Sequence, residues 1–111
     1  MKNQIKKPKS IPMDCFVNKI EGGITTLCLA SQISPESMTI SAIGGPENTV
    51  HKEIAIEMRL PDSSEVLLIT GKTVNKNDNT IEVNFTEINN RHKALLQGFY
   101  ARELQFTELC G

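Results

Sequence analysis

Residues 53–60 alternate strictly between apolar and mainly polar side chains, and this pattern constrains the fold more than any other feature. The apolar positions are Ile54, Ile56, Met58 and Leu60, and the positions between them are Glu53, Ala55, Glu57 and Arg59. A period of two predicts an antiparallel β-strand that has one face in a hydrophobic core and the other face in solvent.

Five further segments have strand character and are separated by turns. They are residues 11–19, 24–31, 38–43 and 66–74, and the stretch in which Ile81, Val83 and Phe85 alternate with polar residues. Clusters of Gly, Pro, Asn, Asp and Ser interrupt them about every ten residues, a spacing typical of a small barrel or sandwich. The chain is therefore predicted to be all-β up to its C-terminal region.

From residue 89 onward the pattern becomes helical. Apolar side chains recur at helical spacing at Leu95, Leu96, Phe99 and Tyr100. Asn89 or Asn90 is available as the N-cap, and the helix is expected to lie across an open end or face of the sheet. Gly98 inside it costs about 1 kcal/mol relative to alanine, which favours close packing at that point. For residues 104–111 both a longer helix and a further strand remain open.

The length and composition are those of one small domain. The chain has 111 residues, 39% of them hydrophobic and 5% aromatic, and no tryptophan, so its core is aliphatic. We divide it into a basic arm (residues 1–10), a barrel with its helix (residues 11–104) and a tail (residues 105–111). Neither a membrane-spanning run nor a signal-peptide stretch is visible in the sequence, so we expect a cytoplasmic protein without membrane insertion.

The charge is distributed unevenly along the chain. The first ten residues carry four lysines and no acidic residue, whereas the remainder carries eight basic and thirteen acidic residues, a net charge of −5. An acidic body argues against binding to a nucleic-acid polymer, which needs a basic stripe across the folded surface. The basic arm is compatible with a small anion held near the N-terminus.

Neither catalysis nor a metal cofactor is indicated by the reactive side chains. His51 and His92 have no Ser, Cys or carboxylate partner at a spacing typical of a catalytic triad, so both are expected to be surface residues without a function. The three cysteines fit neither a disulfide framework nor a zinc site. Cys15 and Cys28 are predicted core residues, and Cys110 is predicted to be exposed.

The order of elements resembles that of the PilZ family of bacterial second-messenger domains. A basic arm leads into an Ile-Pro-Met strand start, and five more strands and a helix follow. The resemblance covers residues 6–104 and is most specific at residues 32–38 (Gln-Ile-Ser-Pro-Glu-Ser-Met), 58–62 (Met-Arg-Leu-Pro-Asp) and 81–85 (Ile-Glu-Val-Asn-Phe). It implies a small six-stranded antiparallel β-barrel with one C-terminal helix.

The resemblance also implies a ligand, cyclic di-GMP, held by an Arg-x-x-x-Arg arm and an Asp/Asn-x-Ser-x-x-Gly turn. The two arginine positions fall on Lys6 and Ser10, and the three turn positions fall on Gln32, Ser34 and Ser37. Only the middle serine is retained. A serine at the last position is strained if that position requires a positive φ.

Other basic side chains are candidates for replacing the missing arginines. Lys7 and Lys9 offer point charges but not the planar fork with which arginine binds phosphate or guanine. Arg59 and Arg102 are the candidates from outside the arm.

Three functional hypotheses follow from these motifs. The first is a PilZ-like adaptor with weak or absent nucleotide binding that acts on an unknown protein partner, such as motility or pilus machinery. The second is a direct cyclic di-GMP receptor that uses a non-standard Lys/Gln site. The third is a β-barrel scaffold with no messenger link. An exposed apolar patch favours the protein-interaction hypothesis.

Overall fold

The computed structural model describes residues 9–43 and 49–110, with the side chains of residues 108–110 left out. Six strands precede one helix. They are β1 (Ile11–Glu21), β2 (Ile24–Ile33), β3 (Ser37–Ala42), β4 (Glu53–Arg59), β5 (Val66–Asn77), β6 (Thr80–Ile88) and α1 (Asn90–Cys110). The six predicted strands and the helix are confirmed, and β5 runs three residues further than the sequence pattern indicated.

The strands form a closed barrel in the order β1-β2-β3-β6-β5-β4, and every neighbouring pair is antiparallel. The first and fourth strands complete it, with Val17 opposite Met58 and Lys19 opposite Ile56. Closure satisfies the backbone groups that an open sheet leaves unpaired at its edges. The six-stranded antiparallel barrel with a C-terminal helix is therefore confirmed.

The alternation along β4 is confirmed residue by residue. Ile54, Ile56 and Met58 are buried in the barrel interior, whereas Glu57 and Arg59 are exposed on its outer surface. The interior is aliphatic, as the shortage of aromatic residues predicts. The largest side chains that are almost fully buried are Ile11, Val17, Ile33, Met38, Ile40, Ile56, Leu60, Leu67, Ile69, Ile81, Val83 and Leu96.

The helix covers the end of the barrel at which β1 begins. Its N-cap is Asn89, whose side-chain oxygen accepts a hydrogen bond from the backbone N–H of His92 at 2.8 Å. Leu96, Phe99 and Tyr100 are buried and belong to the same core as the strand residues. The helix continues to Cys110, so residues 104–110 extend it instead of forming a strand.

Two glycines differ in what surrounds them. A methyl group on Gly71 in β5 meets Val83 Cγ1 at 2.6 Å and the carbonyl oxygen of Asn84 at 2.8 Å. The expectation of close packing at Gly98 was wrong, because among the described residues a methyl group there meets only the end of the flexible Arg102 side chain, at 3.4 Å.

Gly71 and Gly98 together give a matched test of packing. We expect Gly71→Ala to destabilise the protein by about 1–3 kcal/mol, because the added methyl group overpacks the space between β5 and β6. Gly98→Ala is expected to stabilise it by up to about 1 kcal/mol through helix propensity. Urea denaturation of both variants checks the opposite signs, and equal effects contradict the packing account.

Candidate functional site

The start of β1 and the turn after β2 lie side by side. Ile11 of β1 pairs with Ile33 of β2. Because the two strands are antiparallel, the residue before Ile11, Ser10, is a neighbour of the residue after Ile33, Ser34. Lys9 and Ser10 are both exposed. The carbonyl oxygen of Lys9 accepts a hydrogen bond from the Tyr100 hydroxyl, so the helix holds the last residues of the arm in place.

The hydroxyl of Ser34 is used inside its own turn. This side chain is buried, and its oxygen accepts hydrogen bonds from the backbone N–H of Glu36 at 3.2 Å and of Ser37 at 3.1 Å. The backbone N–H of Ser34 donates to the carbonyl of Ser37 at 2.9 Å. Ser34 therefore shapes the turn and does not face outward toward a ligand.

Serine at the last turn position is not strained. Ser37 is the first residue of β3, and among the described residues other than glycine only His51, Asn75 and Asp78 have a positive φ. The strain considered for this position is therefore absent. Its hydroxyl lies 3.1 Å from that of Ser34, which adds a bond that glycine does not offer.

The other predicted site residues are placed unequally. Gln32 is exposed and pairs with Pro12 and Thr39, so it lies beside the arm. Lys6 and Lys7 lie outside the described residues. The structure thus brings Lys9, Ser10, Gln32, Ser34 and Ser37 into one region.

The two arginines considered as substitutes differ in position and partner. Arg102 bonds the carboxylate of Asp62 in the turn that follows β4. Gln32 is on β2 and Arg59 is on β4, and β1 lies between these two strands. Gln32 lies opposite Pro12 of β1, whereas Arg59 lies opposite Phe16. The distance between the levels of Phe16 and Pro12 along β1 is about 13 Å.

The groove beside the arm has the wrong charge for a phosphate. It has a volume of about 340 Å³ and lies between α1 and the start of β1, with Phe99 and two prolines in its wall. Its lining includes the exposed carboxylates of Asp14 and Glu103. These two negative charges repel an anionic ligand at the point where the arm enters the barrel.

The described histidines and cysteines belong to no metal-binding group. His51 is exposed, as expected, and no group of three metal-binding side chains occurs among the described residues. Cys28 is buried and Cys15 half-buried, and the side chain of Cys110 is outside the described set. Burial raises the pKa of both described thiols, so they remain protonated at neutral pH.

His92 is not the free surface residue that the sequence predicted. Its side chain is only 14% exposed, and its Nδ1 accepts a hydrogen bond from the backbone N–H of Leu68 at 3.3 Å. β6 ends at Ile88, which lies opposite Ile69. The preceding residue of β5, Leu68, therefore has no strand partner on that side. The imidazole replaces that partner and ties the helix to β5.

An exposed apolar surface covers the outside of four strands. Phe16 is 63% exposed and Leu68 52% exposed, and Leu27 and Val66 are also exposed. We call the surface formed by Phe16, Asn18, Leu27, Leu29, Glu57, Arg59, Val66 and Leu68 the outer apolar face. A shallow groove of about 300 Å³ crosses it.

The sequence contained one unused indication of this surface. Residues 66–69 are four consecutive apolar residues in a predicted strand, so both faces of that strand had to be apolar. Phe16 and Leu27 gave no comparable indication, because only the register shows that they share a face with Leu68.

Comparison with known proteins gives the class of the fold. No family model matches the chain, and no curated protein matches it. The Bacillus subtilis inhibitor of motility MotI/DgrA superimposes with a TM-score of 0.72 at 15% identity; the match covers 93% of this chain but only 52% of that one. The PilZ domain of CeSA from a cellulose-synthesizing bacterium superimposes with a TM-score of 0.64 at 14% identity, covering 81% of this chain and 96% of that one.

These likenesses concern the fold, and the fold is that of a PilZ domain. The resemblance inferred from the order of elements is confirmed at this level. This chain spans about half of the length of the motility inhibitor. No helix among the described residues is long and apolar enough to cross a membrane.

The ion pair beside His92 predicts how stability depends on pH. Arg91 donates three hydrogen bonds to Glu65, one from Nη2 at 2.7 Å and two from Nε at 2.8 and 3.0 Å. These bonds hold the pKa of the carboxyl below its ordinary 4.5. The unfolded chain therefore binds more protons than the folded one in this range. The stabilisation is present above pH 4.5 and is lost as the pH falls through the lowered folded-state pKa.

We expect Glu65→Gln to lower Tm at neutral pH, with a difference from the native protein that shrinks as the pH falls below about 4.5. Thermal melts between about pH 3 and pH 7 measure this. The control is Glu87→Gln, at an exposed position of β6. This change also removes one carboxylate, but one that has no arginine partner among the described residues. A difference that stays constant over the whole range contradicts the assignment.

Proposed function

We propose that this protein is a non-catalytic signalling domain of the bacterial cyclic di-GMP pathway that acts as a protein-interaction adaptor, with weak or absent nucleotide binding. The outer apolar face is the observation that carries this proposal. Exposed large hydrophobic side chains that share one surface are costly in a soluble domain and mark a place where another protein binds. Phe16 and Leu68 contribute most to that surface.

The region that corresponds to the family's nucleotide site supports the same proposal. The arm has no arginine, and Lys9 and Ser10 are the described residues at its end. Ser34 is buried within its turn, and Asp14 and Glu103 place negative charge beside the arm. Losing two bidentate arginine contacts of about 1–3 kcal/mol each weakens binding by about two to four orders of magnitude.

Motility or pilus machinery is the partner class that we favour. One protein of the same fold is an inhibitor of motility, which supports this choice through fold similarity. The acidic body of the domain, with its net charge of −5 after residue 10, suits a partner with a basic surface.

Direct binding of cyclic di-GMP is the second candidate function. The observation in its favour is that Lys9, Ser10 and Gln32 are exposed in one region, with the basic arm leading into it. Lysine supplies charge there, but no fork for phosphate or guanine.

Calorimetric titration of cyclic di-GMP into the whole protein separates the two candidates. We expect no saturable heat at ligand concentrations well above micromolar, at low and at moderate salt, and no change in Lys6→Ala or Gln32→Ala. Saturable binding near or below micromolar that is lost in either variant overturns the adaptor proposal in favour of a receptor.

A gain-of-function variant is the positive control. Lys6→Arg combined with Ser10→Arg restores both guanidinium forks, so we expect it to raise affinity by at least about tenfold over the native protein. Lys6→Arg combined with Ser10→Ala has one fork fewer and is its matched control. Equal behaviour of both variants contradicts the assignment of the arm to the family's ligand site.

A further inference from the structure

The strand register arranges the outer apolar face in two rows. The first row is Leu27, Asn18, Glu57 and Leu68, which are paired in turn across β2, β1, β4 and β5. The second row is Leu29, Phe16, Arg59 and Val66, displaced by two residues along each strand. Phe16 of β1 and Arg59 of β4 are neighbours in the second row, because the adjacent residues Val17 and Met58 are paired across these two strands.

Each row carries one charge, and the two charges have opposite signs. The charged residues are Glu57 and Arg59, which lie two residues apart on β4. Each row has an apolar side chain at both of its ends. Two residues along a strand correspond to about 7 Å. The rows therefore match each other position by position, with Glu57 corresponding to Arg59 and Leu68 to Val66.

Both charged groups are available for a partner. Arg59 is exposed, and no carboxylate among the described residues pairs with its guanidinium. Glu57 is exposed and accepts a hydrogen bond of 3.3 Å from the amide of Asn18. A guanidinium forms shorter and stronger bonds with a carboxylate than an amide does.

We infer that the outer apolar face binds a second copy of this chain, in a two-fold dimer in which Glu57 of each copy pairs with Arg59 of the other. The inference rests on the proposed function, which assigns this face to protein contacts. The second copy and the adaptor's partner then compete for the same face. The two sheets pack face to face, about 10 Å apart.

Only one orientation of the axis satisfies the charges. The two-fold axis that satisfies the charges lies in the plane of the face, runs perpendicular to the strands and passes between the rows. Rotation about this axis places the first row of one copy on the second row of the other. It forms two Glu57–Arg59 pairs and brings Leu68 onto Val66 and Leu27 onto Leu29. An axis parallel to the strands forms no Glu57–Arg59 pair, and where it runs along β4 it places Glu57 on Glu57 and Arg59 on Arg59, which is repulsive.

Sedimentation velocity in a reducing buffer tests the dimer without contributions from cysteine cross-links. We expect the average mass to rise from that of one chain toward that of two between about 1 and about 500 µM, the range in which a small interface associates. Glu57→Arg and Arg59→Glu are each expected to raise the dissociation constant at least tenfold, because each creates two like-charge contacts.

Two combinations make the test specific to the proposed geometry. An equimolar mixture of Glu57→Arg and Arg59→Glu is expected to associate again, as is the double variant that carries both changes in one chain. Restoration by the double variant requires the perpendicular axis, since a parallel axis leaves like charges opposed. Glu87→Arg, an equal charge change on β6 and outside the face, is the control and is expected to associate like the native chain.

Each outcome decides between alternatives. A native chain that stays monomeric over the whole range, or a dimer that either reversal leaves intact, overturns the inference. Neither result touches the proposed adaptor function, which fails only on the nucleotide titration. If one reversal does not fold, circular dichroism identifies it, and the other reversal and the double variant still complete the test.

Discussion

The pairing of β1 with β4 is the constraint on which the rest of the structure depends. It joins two strands that are distant in sequence, Ile11–Glu21 and Glu53–Arg59, and turns a six-stranded sheet into a closed barrel. Closure brings the aliphatic side chains of all strands into one interior, and α1 covers the end of the barrel at which β1 begins. It also aligns Phe16 and Asn18 with Arg59 and Glu57, so the outer apolar face exists only because the barrel closes.

The helix is attached to the barrel by polar contacts as well as by its buried residues. The Tyr100 hydroxyl bonds the carbonyl of Lys9, and the His92 imidazole accepts from the backbone N–H of Leu68. These contacts fix the arm's last residues and the start of β5 at two points that are eight residues apart along the helix. The arm and the outer apolar face are thus both connected to α1, by separate contacts.

The region predicted from the sequence as a nucleotide site and the outer apolar face have opposite characters in this protein. In the first, the retained serine hydroxyl is consumed by its own turn and the neighbouring groove carries two carboxylates. In the second, hydrophobic side chains are exposed beside an arginine that no described carboxylate binds. The contrast between these two surfaces is the physical basis of the proposed function.

The sequence by itself determined the strands and the helix and limited the N-cap to Asn89 or Asn90, because period-two alternation and an asparagine before an apolar helical pattern are local signals. Ile54, Ile56 and Met58 were placed in the core correctly for this reason. Only the tertiary structure decided the surroundings of Gly98, the burial of His92, the use of Ser34 within its turn and the two rows of the outer apolar face. The burial of His92 and the two rows depend on which residues of distant elements become neighbours, and a local pattern does not specify those neighbours. The surroundings of Gly98 depend on which side of the helix meets the barrel, and the bonds of Ser34 are local but form only in the turn between β2 and β3.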